Sequence, residues 1–342
     1  MLSQAPPLSP RLVGKLMRHL SSSVLLACTL AGSAAQAAVY VSSDHTVPGG
    51  NAWNSAFGSQ QNVHVGQASG GGLVSGVDLD IVAGAALNGD LYARSDSRTA
   101  IYGGSFTHYA NGYRTSLRLY DSAHVKVAYD KASLGIANVD DHSSLTLENG
   151  RVDGIQVHDS GTARVSGGVI QSLSSFTIAE AAGIGAHLEL TGGRTNGIVR
   201  ATQGGSVDVS GGNFSTLFSY NGLIEVSGGL GATNGRLGSS KGGLGQFVLY
   251  GSNFALSNAR ADSYFDPTYW ISGPGVSYVL TGTLLNGQTI RASYFEEGLV
   301  LGEAPRNIAF AASPVPEPTT ASLMLMGLAL AAWMACKGRQ RV

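Results

Sequence analysis

One short pattern recurs through the middle of the chain: apolar, polar, apolar, small, then Gly or Gly-Gly, with a large apolar residue soon after. The clearest copies are Val207-Asp208-Val209-Ser210-Gly211-Gly212-Asn213-Phe214 and Ala163-Arg164-Val165-Ser166-Gly167-Gly168-Val169-Ile170. Residues 188–193, 224–229, 145–152 and 99–106 fit the same frame, 247–254 fits it loosely, and weaker copies centre on Val65, Ile81 and Val127. The second apolar residue of each copy falls at 65, 81, 101, 127, 147, 165, 190, 209, 226 and 249, a period of about 20 residues. A unit this short, one alternating strand and a Gly turn, cannot bury its apolar face alone and must stack on its neighbours. Strand alternation then points Val207 and Val209 inward and Asp208 outward, and the glycines bend the chain so that Phe214, Ile170, Val152 or Phe106 returns to the core.

The expected class is therefore all-β, a stack of about ten turns over residues 62–256. It resembles the right-handed parallel β-helix (solenoid) of autotransporter passengers and polysaccharide lyases. A β-sandwich with Gly-rich turns is the competing fold, but its strands recur roughly every 8–12 residues.

Composition agrees with short strands and many turns: 48 of 342 residues are Gly and only 13% are charged, about half the usual share of charge. A formal net charge of −1 leaves no basic field for a nucleic acid. The two cysteines, Cys28 and Cys336, lie in apolar end segments, so the body between them is held by burial and backbone pairing alone.

Arg11, Lys15 and Arg18 precede an apolar run from Leu20 to Gly32, and Ala35-Gln36-Ala37 supplies the small residues that a signal peptidase accepts. Residues 1–37 read as a secretory signal cut before Ala38; a membrane anchor and a lipoprotein modified at Cys28 are the alternatives. Residues 38–61, with Trp53 and Phe57, lack the repeat and are expected to cap the first turn. Residues 257–302 are expected to form a C-terminal β-strand cap. There Asn286-Gly287 turns a hairpin, Leu299-Val300-Leu301 adds a third strand, and 303–312 is a linker.

The motif-bearing enzyme classes find no support: G-x-S-x-G, H-E-x-x-H, P-loop, paired-cysteine and EF-hand patterns are all absent. No catalytic residue is assigned. Asp140-Asp141-His142 reads as turn punctuation, Asp78 and Asp80 as a solvated strand face. One constellation follows from stacking itself. Glu189, Asp208 and Glu225 are the outward residues of three consecutive turns, so like charges would lie about 5 Å apart. Lateral offset and hydration would relieve the repulsion, or a cation such as Ca²⁺ would. Arg164 and Lys126, on earlier turns, make the rest of a charged lateral face. That face is thin in acid and base groups, and a polysaccharide lyase or hydrolase on the same fold is the rival reading.

The tail has three parts in order: Val315-Pro316-Glu317-Pro318, an apolar run from Ala321 to Ala335, and the basic residues Lys337, Arg339 and Arg341. By physical chemistry alone, this is a helix that starts after a proline stop, enters a bilayer and holds its cations on the cytoplasmic side. Together the parts resemble the PEP-CTERM sorting signal of Gram-negative bacteria, over residues 313–342. That resemblance implies recognition by an exosortase, a transient stay in the inner membrane, and a destination at the cell surface or in an extracellular matrix. It also implies a setting of biofilm or exopolysaccharide, in which the stack would be a structural or adhesive component; a surface protein without a specific ligand is a third reading.

Overall fold

The structure, a computed structural model, describes residues 38–43, 45–47, 62–82, 86–87, 89–106, 114–171, 178–230, 235–240, 245–266 and 271–312, all within one compact unit, Gln36–Val342. The predicted signal segment 1–37, Trp53 and Phe57, and the sorting segment 313–342 lie outside the described residues. Among the described residues the regular structure is all β, and no helix is long and apolar enough to cross a membrane.

The strands form two long parallel ladders in one large sheet. The repeat found in the sequence is one of them. Asp78–Ile81, Arg98–Ile101, His124–Val127, Ser144–Leu147, Thr162–Val165, His187–Leu190, Ser206–Val209 and Leu223–Val226 stack in register, one per turn. The other ladder runs through Leu117–Leu119, Ser133–Val139, Arg151–His158, Ile178–Ala182, Arg194–Thr202 and Asn213–Tyr220. Each turn thus uses two strands, and each strand takes its hydrogen bonds from the turns before and after it. Register places like on like: Leu188, Val207, Ile224 and Phe247 form one inward column and are fully buried. Phe214, Ile170, Val152 and Phe106 return to the core as expected.

Two kinds of corner separate the ladders. At the first, the Gly pair is a steric necessity. Gly212 has φ +86°, and a Cβ there would come within 2.6 Å of the Gly193 carbonyl oxygen, in the corner of the preceding turn. The second corner has no common residue. It is a single left-handed position filled by Ser95, Asp121, Asp141, Asp159, Gln203 or Asn221, with φ between 52° and 60°. Short polar side chains tolerate that conformation, and here they also link turns. The Asp121 carboxylate accepts the Ser95 N–H at 2.9 Å, and the Asp141 carboxylate accepts the Asp121 N–H at 3.0 Å. The Asp140-Asp141-His142 stretch is one such corner.

Several boundaries differ from expectation. Val65 belongs to the second ladder, where it pairs with Ala93, so the 65-to-81 step crosses faces within one turn and is not a repeat. Pairing also begins before residue 62: Ala38–Val41 lies in register with Asn62–Val65, and His45–Val47 with Leu79–Ile81, so part of the predicted cap is stack. At the other end, the Asn286-Gly287 hairpin forms as expected. Ile271–Leu284 and Thr289–Glu297 pair antiparallel, and the long strand Gln246–Asp266 adds to their far edge. Leu299–Leu301 is not a strand. The predicted linker holds one instead: Ile308–Ala311 is a further rung, parallel to Phe247–Tyr250. Four residues without a Gly pair look like linker, because the partner that makes them a rung lies some 60 residues earlier.

A buried polar clasp holds this last rung. The Glu296 carboxylate accepts the Tyr294 hydroxyl at 2.8 Å and the Arg306 N–H at 3.1 Å. The Asn307 amide donates to Ser239 Oγ at 3.2 Å and to the Ser240 carbonyl at 3.1 Å. Burial, first of all, pushes the Tyr294 hydroxyl well above its ordinary pKa, so it stays a donor.

Gly212→Val is expected to cost at least about 2 kcal/mol, since strain at positive φ adds to the clash. Gly70→Ala, in open space at negative φ, is expected to stay within about 0.5 kcal/mol of the parent. Urea unfolding of the two variants checks the contrast; equal midpoints would contradict the corner packing.

Candidate functional site

In-register stacking turns the outer side of the Gly-bounded ladder into a wall of columns. One runs from Lys126 through Thr146, Arg164, Glu189 and Asp208 to Glu225. The three predicted carboxylates are therefore adjacent, as the repeat implied. Each meets a protein group. Arg164 Nη1 lies 3.3 Å from Glu189 Oε2, His187 Nε2 lies 3.7 Å from Asp208 Oδ2, and the Tyr250 hydroxyl donates to Glu225 Oε1. Lower on the wall, Lys126 Nζ sits 2.8 Å from Glu148 Oε1. The bond to Glu225 is the main cause that raises the Tyr250 hydroxyl to about 12. Asp208, in the middle, is raised above the usual carboxylate range, first by burial and then by Glu225 and Glu189, with His187 opposing.

The carboxylates are strung along the stack rather than gathered round a point, and among the described residues no three His, Cys, Asp or Glu side chains converge to hold a metal ion. Arg164, His187 and Tyr250 each stand against one of the three carboxylates, so the like charges of successive turns are not left facing one another alone.

A hydroxyl–imidazole–carboxylate series also lies here, with His187 Nδ1 2.9 Å from Ser206 Oγ and its Nε2 facing Asp208. The same His–Ser contact recurs at His124 and Ser144, at 2.5 Å, where His124 makes no ion pair to a carboxylate among the described residues. In both places it joins residues stacked in register, so the contact follows from the stacking itself. Asp78 and Asp80 lie on the outward side of Asp78–Ile81 as expected.

The opposite ladder carries a row that the repeat did not reveal. Tyr40, His64 and Tyr92 stack ring on ring, with centroids 5.0 and 4.6 Å apart, and the Arg118 guanidinium covers the Tyr92 ring at 5.6 Å. Both faces of His64 and one face each of Tyr40 and Tyr92 are spent within the row, and Arg118 covers Tyr92 from the next turn. The signal was an aromatic or His residue flanked by apolar ones in three short strands, Val-Tyr-Val, Val-His-Val and Leu-Tyr-Ala, at spacings of 24 and 28 residues.

Of the predicted processing residues, Ala38 begins the first rung, placing the expected cut at its edge; Ala35 and Ala37 lie outside the described residues. So do Val315, Pro316, Glu317 and Pro318, and the basic residues Lys337, Arg339 and Arg341.

Two titrations follow. Asp208 has a raised pKa when folded, so its ionisation costs stability as pH rises from about 4. Asp208→Asn should therefore melt higher than the parent at neutral pH, with the gap closing toward pH 4. His64 is lowered, chiefly by burial, so its contribution is complete above about pH 6.5 and is lost as pH falls below that. His64→Gln should flatten the parent's loss of thermal stability between pH 6.5 and 5; an unchanged slope would contradict the stack.

Neither the curated proteins nor the solved structures contain a match to this chain. A family model does match its end, the PEP-CTERM protein-sorting motif, over residues 314–340. Such a motif implies export, processing by an exosortase and a cell-surface or extracellular destination. The chain carries a PEP-CTERM sorting signal, which begins three residues beyond its last described rung, Ile308–Ala311.

Proposed function

We propose that this protein is an exported structural or adhesive component of the cell surface or extracellular matrix, delivered there by an exosortase after a transient stay in the inner membrane. Signal peptidase removes residues 1–37, and the PEP-CTERM segment is the second, disposable address. The body is a right-handed parallel β-helix. The sense follows from the near-universal hand of parallel crossovers, and about ten turns rising about 4.8 Å each make a rod suited to spanning a matrix.

The observation that carries this reading is the pairing of the body with its tail: the last described rung of a stack of in-register turns is Ile308–Ala311, and the sorting motif starts at residue 314. The wall of the Gly-bounded ladder supports a non-enzymatic role, because its charges are matched to one another, as in Arg164–Glu189 and Lys126–Glu148, instead of converging on a substrate. Exopolysaccharide is the partner that the exosortase setting favours.

Fractionating cells with and without the exosortase tests delivery. The mature chain should be at the surface or in the medium when the enzyme is present and stay with the inner membrane when it is absent. Mass mapping should find the C-terminus shortened within 313–342. Purified protein incubated with host exopolysaccharide should leave its chain length unchanged; shortening would replace this reading with a polysaccharide-acting enzyme.

A further inference from the structure

At the C-terminal end of the stack, the long strand Gln246–Asp266 is paired unequally on its two edges. One edge takes Leu223–Val226 and then, along residues 251–266, Ile271–Leu284. On the other edge Ile308–Ala311 covers only Phe247–Tyr250, and among the described residues no strand pairs with the remainder. Ser252, Asn253, Ala255 and residues 257–261 are exposed. An edge this long invites pairing with another chain unless something covers it.

The last rung already points along that edge. Phe310 lies in register with Leu249, yet its ring stacks on Phe254, further along the strand, with centroids 4.9 Å apart. Phe310 is 43% exposed although it stands in an inward column, and Phe254 and Leu256 beside it are only half-buried. The apolar side of the stack is open here.

Backbone parity decides what can extend the rung. In a strand, alternate residues turn both backbone groups to the same neighbour. The Phe247 N–H donates to the Asn307 carbonyl at 2.8 Å, so 307, 309 and 311 face Gln246–Asp266 while 308 and 310 face away. On the long strand, the Tyr250 carbonyl accepts the Leu285 N–H from the opposite edge, which leaves Gly251 facing the open one. A continuation in phase turns 313, 315 and 317 to the open edge and 314, 316 and 318 away from it. The sequence there is Ser313-Pro314-Val315-Pro316-Glu317-Pro318. All three prolines, which have no N–H, fall on the positions that face away, and each position that must donate holds Ser, Val or Glu. The same period of two puts the proline rings on the side of Ile308 and Phe310, where Phe254 and Leu256 are open, and Glu317 on the solvent side.

We propose that residues 312–318 dock on this edge as the last strand of the body, so that the sorting motif is also the cap of the rod. Its outer edge is then a row of prolines that offers no donor to a further strand. An exosortase meets Pro-Glu-Pro fixed on the end of the rod instead of on a loose tether. The docking rests on strand parity and is independent of the matrix reading.

Residue-resolved hydrogen exchange of the full-length chain in detergent, read by mass spectrometry, tests it. The N–H groups of Ser313, Val315 and Glu317 should exchange at least about tenfold more slowly than in a synthetic peptide of residues 309–320. Val315→Pro removes a donor that faces the edge and should abolish protection at Glu317. Pro316→Ala adds an N–H on the side facing away; Glu317 should stay protected, while the N–H created at position 316 exchanges at the peptide rate. The proposal is overturned if Glu317 in the parent exchanges at the peptide rate, or if Val315→Pro leaves its protection unchanged. Equal protection at 316 and 317 in Pro316→Ala would also overturn it, as the mark of a helix or of shielding by detergent. So would protection that appears only at high protein concentration, since a second copy would then be covering the edge.

Discussion

Parallel, in-register backbone pairing between successive turns is the interaction on which everything else here depends. No single turn has enough apolar surface to fold; each supplies half of its neighbour's hydrogen bonds and half of its core. The same pairing dictates what the corners tolerate. Where the chain bends after Val209, the preceding turn is so close that a Cβ on Gly212 would press on a carbonyl oxygen. Where it bends after Val139, the left-handed Asp141 holds the Asp121 N–H of the previous turn. Both corners are solutions to one constraint, a rise of about 4.8 Å per turn.

Stacking also multiplies whatever points outward. A carboxylate repeated on three turns becomes a column of negative charge; a tyrosine repeated becomes a pile of rings. The protein meets the first problem with Arg164, His187 and Tyr250 around Glu189, Asp208 and Glu225, and with a raised pKa on the central acid. The second resolves itself, since Tyr40, His64 and Tyr92 pack face to face. Columns whose members satisfy one another make a quiet surface.

Half of each turn was legible in the chain and half was not. The Gly-bounded strands share an apolar–polar–apolar core and a glycine signature, because their corner is sterically exacting. The other strands, among them Leu-Arg-Leu, Ala-Glu-Ala and Leu-Phe-Ser, share only their positions, and their corner accepts Asp, Asn, Gln or Ser. That is why Val65 was placed on the wrong face, and why Ala38–Val41 and Ile308–Ala311 passed for cap and linker. The adjacency of Glu189, Asp208 and Glu225 needed only the repeat and its register. Their partners did not follow from it: Tyr250 lies after a further corner, and nothing local ties it to Glu225.

The sequence by itself determined that the chain stacks, which residues of the recurring strand face inward, and where the sorting signal lies, because each rests on local spacing or a contiguous motif. The tertiary structure alone decided that Ala38–Val41 and Ile308–Ala311 join the stack, which groups meet the charged column, and that Phe218, Gly238 and Phe295 share a row. These residues are 20 and 57 positions apart, and only backbone pairing across turns makes them neighbours.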